Sequence, residues 1–249
     1  LVWFVLGVVA CGGSIRADDA KKPDAAPPKV EEKAGEPKKE EAKKDEPKKD
    51  EVKKDVKPKE SVEKRMARRK RAIDEAVLKE DWDAVLAGLD EIIDDKEINA
   101  DDHLIALYNK FTVLAEEKLD GAKACPVAKE LAELLKDDPE DVNDIAWTIL
   151  VTEGLKNRDL DVALALAKKA NDMAHGQDGA ILDTLARAHF EKGDLDKAVD
   201  LQTKAIEKIG DNYEVTDEVK EEMKGTLEKY KAKQTEKKSE KKEEKKGVE

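Results

Sequence analysis

The chain is poor in the residues that build rigid sites. Of its 249 residues, 4% are aromatic, three are histidine and two are cysteine. Two cysteines without a CxxC spacing exclude a disulfide framework and a thiol redox pair. No His or Cys stands at metal-ligand spacing from another His, Cys or carboxylate. There is no Gly-rich phosphate loop and no nucleophile elbow. No catalytic residue, cofactor or metal is therefore expected. The longest apolar run is the opening "LVWFVLGVVAC", short of the roughly 20 residues that span a bilayer.

Charge is what the chain has in excess: 43% of residues are Asp, Glu, Lys or Arg. Six of the eight prolines lie between Pro23 and Pro58. Over 18–60 there are 14 basic and 14 acidic residues and almost nothing apolar to bury. Such a segment cannot offset its ordering entropy, so a disordered tether is expected there, and a second disordered tail over 232–249. Residues 61–231 are expected to fold. They hold 26 basic and 41 acidic residues, a net charge of −15, which repels phosphate backbones and disfavours nucleic-acid binding. The one basic cluster, "KRMARRKR" at 64–71, reads as the solvated face of a first helix or as a contact to anionic lipid or RNA.

The apolar start fits a signal peptide over 1–17. "VVAC" at 8–11 resembles the bacterial lipobox, which implies lipidation of Cys11; the alternative is ordinary cleavage after Ala17. The resemblance implies export and anchoring in the envelope, with the outer membrane favoured because Gly12, not Asp, follows the cysteine. A tether behind a lipid anchor would let the folded part stand off the membrane. Cys125, in "AKACPVAKELAELL", is expected to be a small buried residue at a helix contact, with Pro126 in a first turn.

The chain nearly repeats itself. "NRDLDVALALAKKA" at 157–170 and "KGDLDKAVDLQTKA" at 192–205 share seven of fourteen positions at an offset of 35. A period of this length signals stacked supersecondary units. Leu182, Leu185, Ala186 and His189 fall on one helical face, Gly193–Asp194 break the helix, and Ala198, Leu201, Ala205 and Ile206 line the next. Trp147, Leu150, Ala163 and Ala170 stand 35 residues earlier than Leu182, Leu185, Ala198 and Ala205. These two units, 144–178 and 179–212, resemble the tetratricopeptide repeat, with departures at Val151, Gly154 and Arg158. Weaker hairpins are expected at 72–93, with Val85, Leu89 and Ile92, and at 101–135, with Phe111, Ala124, Ala128 and Leu131. Val219, Met223, Leu227 and Tyr230 predict a capping helix over 216–231 that starts at Thr216. The expected fold is all-α: a solenoid of about four stacked hairpins and a cap.

The stretch 140–231 also resembles the helical region that some bacterial envelope proteins carry behind a thioredoxin-like domain. Here the charged tether stands in place of that domain. The repeat resemblance implies a concave binding surface. Its positions correspond to Ile145, Thr148, Thr152 and Leu155, and to Ala180, Asp183, Arg187 and Phe190. Only Arg187 is basic among them, with Asp183 one turn away as its expected partner, so no clamp for a peptide carboxylate is expected. The implied function is a non-enzymatic protein-interaction module with a protein or peptide partner; the alternative is a structural spacer or assembly factor.

Overall fold

A computed structural model describes residues 60–210 and 215–246. The signal peptide, Cys11 and residues 18–59 of the tether lie outside the described residues. Among the described residues nine α-helices follow one another: α1 (Val62–Val77), α2 (Trp82–Ile93), α3 (Ala100–Thr112), α4 (Gly121–Leu134), α5 (Pro139–Val151), α6 (Leu160–Met173), α7 (Gly179–Glu191), α8 (Leu195–Ile209) and α9 (Asp217–Lys246). They form four antiparallel hairpins, each packed on the next, with α9 on the last. The expected fold class is what the structure shows.

The local chemistry explains where the helices start. Ser61, Asp81, Asn99, Asp120, Asp138, Asp159 and Asp178 each stand at an N-cap and accept a hydrogen bond from a first-turn N–H. Alanine sets the helix spacing. Ala163, Ala170, Ala198 and Ala205, the small residues of the two repeats, are fully buried. One apolar core runs from α3 to α7 around Leu107, Phe111, Leu131, Ile145, Ile149, Leu150 and Leu185. A lone hairpin leaves such a face wet, so stacking is what stabilises each unit.

Several local expectations are corrected. Pro126 is not in a first turn: α4 starts at Gly121, and Pro126 sits inside it. Pro139 opens α5 at its first position, where a missing N–H costs nothing. The helix at the C-terminus does not stop near 231, and the start of the expected disordered tail is helical through Lys246. Within the first repeat the helix ends early, at Val151, and a long connector follows. Arg158, which stands where the second repeat has Gly193, explains how that end is tolerated. Its guanidinium donates to Leu150 O at 2.7 Å and to Thr152 O at 2.6 Å, capping the carbonyls at the end of α5.

The basic cluster of α1 is largely an internal staple. Arg65 holds Asp95 through two bonds of 3.0 and 3.1 Å and reaches Glu97 at 2.7 Å. Arg69 adds a 2.6 Å bond to Asp95, and Lys70 pairs with Asp102 at 3.0 Å. The two guanidiniums hold the Asp95 carboxyl well below the usual carboxylate range. A depressed value means the stabilisation is present above the ordinary pKa of about 4 and is lost as pH falls below it. Asp95→Ala is therefore expected to lower the melting temperature at pH 7. The gap to the parent should narrow steadily as pH drops below about 4. A gap that does not change with pH would mean Asp95 acts by packing alone.

Candidate functional site

The concave positions implied by the repeat do not form one open groove. Ile145 and Leu155 are buried in the core. Thr148 and Thr152 stay half-exposed on α5, and the Thr152 hydroxyl donates back to Thr148 O at 2.7 Å. Ala180 is exposed at the start of α7.

Of the three α7 positions, Phe190 is covered by α9, while Asp183 and Arg187 bond within the α7–α8 hairpin. Phe190 stacks on Tyr230, with ring centroids 4.3 Å apart and an 18° interplanar angle. Lys229 Nζ lies 5.9 Å from the Phe190 ring. Asp183 does not pair with Arg187 as expected. Its Oδ1 accepts from Gln202 Nε2 of α8 at 2.5 Å, and Arg187 instead bonds Glu191 at 2.8 Å. Burial, first of all, pushes the Asp183 carboxyl up, and Glu222 of α9 adds to the rise. The sequence periodicity could not show this, because α9 is far away in the chain and its contacts depend on where its first turn docks.

What remains open is an acidic face centred on α5. This helix contains no Lys or Arg. Asp141 and Asp144, one turn apart, have no ion pair among the described residues. Exclusion of water by the surrounding surface, and then neighbouring carboxylates, push both carboxyls up. Burial, followed by Asp144 and Asp141, pushes the Tyr108 phenol of α3 up to about 12, and Glu116 is raised too. Tyr108, Asp141 and Asp144 thus share a negative surface, and Thr148 lies one turn beyond Asp144 on the same helix. The sequence signal for it was available: a 13-residue helix without a cation, with carboxylates at i and i+3.

His189 and Cys125 both occupy packing positions. His189 Nδ1 faces Asp194 Oδ2 at 3.5 Å beside the α7–α8 turn, in a packing position. Among the described residues no three His, Cys, Asp or Glu side chains are placed to hold a metal ion. No described helix is long and apolar enough to cross a membrane. Cys125 is buried and unpaired, and its burial pushes the thiol up. A raised, inaccessible thiol is inert. Labelling of the native protein with a thiol reagent is expected to be about 100-fold slower than in denaturant. Equal rates would show that α4 opens readily.

No protein-family model and no curated protein sequence matches this chain. Among solved structures it is similar to the crystal structure of the MamA protein, at 16% identity and a TM-score of 0.43, over 73% of this chain and 96% of that one.

Proposed function

We propose that the protein is a non-enzymatic interaction module of the tetratricopeptide type that binds a protein or peptide partner through the inner surface of its helical stack. The observation that carries this reading is the uncompensated acidic face of α5 and α3, with Asp141, Asp144 and Tyr108 at its centre. Carboxylates that are already raised by loss of water and by neighbouring carboxylates gain most from an incoming cation, so a partner segment rich in Lys or Arg fits best. The proposal extends to location. The lipobox-like "VVAC" and the charged stretch behind it support export to the bacterial envelope, anchored through lipid on Cys11 or released after cleavage. A tethered module would search for its partner at raised effective concentration.

The test uses the full chain as bait in native envelope extract, beside the Asp141→Asn/Asp144→Asn double variant. Neither side chain is itself buried, so helicity should be unchanged. A protein held by the parent and lost at least tenfold by the variant, and equally lost at high salt, is expected. If every captured protein is indifferent to the variant, the face is not a binding site and the spacer or assembly reading takes over. Arg187 is the wrong residue for this test, because its reversal would disturb the α9 contact.

A further inference from the structure

Three helices meet at Asp183, and the meeting is imperfect. Gln202 of α8 is fully buried. Its Nε2 donates to Asp183 Oδ1 and also reaches Met223 O of α9 at 3.5 Å. Its Oε1 is buried and has no partner. One neutral amide therefore serves a carboxylate of α7 and a carbonyl of α9, while its own oxygen adds electron density nearby. The remaining neighbours do not repair this. Arg187, on α7, attracts the carboxylate but spends its Nε on Glu191. From α9, Glu222 faces Asp183 with like charge, and the Tyr230 phenol feels Asp183, Arg187 and Glu191 together. From α8 the uncharged Gln202 supplies the hydrogen bond, and among the described residues no charged group of α8 acts on Asp183.

We infer that the docking of α9 on the α7–α8 hairpin is linked to a proton on Asp183, so that acid holds the cap closed and rising pH loosens it. Undocking removes Glu222 and the Met223 carbonyl and lets water reach the carboxylate, so the ionised form is better served in the open state. Proton uptake on closing follows from that difference alone. The sign is fixed by the direction of the effect. A carboxyl raised in the docked state contributes stability that is fully present below its ordinary value, near 4, and is lost as pH climbs through the docked value. The raised Asp183 carboxyl agrees with this geometry.

The consequence is a gate at one end of the stack. α9 covers Phe190 and stands beside Asp183 and Arg187, so its movement uncovers these α7 positions assigned to the inner surface. That meaning rests on the interaction reading above, whereas the linkage between α9 and the proton does not. A partner whose contact extends from α5 onto α7 would therefore bind better at higher pH.

Hydrogen exchange on the full chain tests the linkage without any partner. Protection of α9 amides is measured at pH 4.5 and 7.5 and divided by that of α4 and α5. Glu116, Asp141 and Asp144 titrate against the reference helices in parent and Asp183→Asn alike, so the difference between the two profiles isolates Asp183. The parent should show about fivefold or greater relative protection at pH 4.5 than at pH 7.5. Asp183→Asn should keep the higher value at both. Glu222→Gln should shrink the pH effect without abolishing it. A flat parent profile, or an Asn variant that titrates like the parent, overturns the inference. A carboxyl carbon titration of Asp183 in the unmodified protein serves as a second readout, and a midpoint in the ordinary range overturns it too. Failure of the α5 capture experiment with a positive exchange result would discard the partner and keep the gate.

Discussion

Replacing Gly121 with alanine is expected to cost about 3 kcal/mol of stability, far more than a methyl group at a helix start usually costs. Gly121 is where two connectors touch. Its N–H donates to Lys156 O at 2.8 Å, and the Lys156 N–H donates to Leu119 O at 3.0 Å, so the α3–α4 turn and the α5–α6 connector form a short parallel bridge. A Cβ on Gly121 would stand 2.6 Å from Lys156 O, 2.9 Å from Asn157 O and 3.1 Å from Arg158 Cα. All three are backbone atoms, so no rotamer change relieves the clash. The connector cannot retreat cheaply either, because Arg158 pins it to the end of α5. Relief therefore breaks the bridge, at about 1 kcal/mol for each hydrogen bond and more for the groups left buried. In a domain of this size the melting temperature should fall by about 6–12 °C. Gly225→Ala is the control, since nothing lies within 4 Å of a Cβ there. On an exposed stretch of α9 it should raise stability by about 0.5–1 kcal/mol. A loss below about 1 kcal/mol at position 121 would mean the two connectors are not locked together.

That bridge also shows what a linear reading cannot reach. The hairpin count and the Ala contacts were legible because each depends on residues within one turn or one period. Val85, Leu89 and Ile92 on α2, and Ala124, Ala128 and Leu131 on α4, are buried as their spacing predicts. Met223 and Tyr230 are buried on α9 for the same reason. Contacts made by exceptions were not legible. Arg158 breaks the repeat pattern, yet it supplies the cap that the shortened α5 needs. Before it stands Gly154 with a φ of 77° and Asn157 with a φ of 51°, so the turn is built from different residues at different places than Gly193 in the second copy. The far part of α9 was missed because its hold on the body is polar. Gln234 donates to Asp196 at 2.6 Å, Lys238 pairs with the same carboxylate at 3.0 Å, and Lys237 donates to Gly193 O at 2.8 Å. A stripe that changes from Val, Met and Tyr to Gln and Lys has no hydrophobic period to read. The same gap hid the fate of Asp183, Arg187 and Phe190. Their positions on α7 followed from the repeat, but what covers them is set by the docking of a helix that starts 27 residues after Phe190.

Tyr230→Ala is expected to detach that helix. Tyr230 is 1% exposed and packs on Phe190, Ala186 and Ala198. An aromatic ring truncated in such a site costs about 3–5 kcal/mol, from lost transfer energy and from the cavity left behind. The rest of the α9 interface is thin. Met223, with Val219 beside it, covers Leu182, Ala205 and Ile209, and the polar contacts beyond residue 233, exposed except for the half-buried Lys237 bond, are worth little each. The ring therefore carries a large share of the docking energy. Its loss should act on α9 rather than on the whole stack, because the main core from α3 to α7 does not include it. Limited trypsin digestion reads this directly. Lys224, Lys229, Lys231 and Lys233 lie on α9, and a helix must open before a protease can use them. Cleavage there should speed up by about 100-fold or more in Tyr230→Ala, while fragments from α3 to α7 appear no faster. Tyr230→Phe keeps the stacked ring and should change the rate by less than about fivefold. If the alanine variant instead accelerates cleavage everywhere, α9 is an inseparable part of the core. The stack would then unfold as one unit, and neither a cap that opens by itself nor its control by Asp183 would survive.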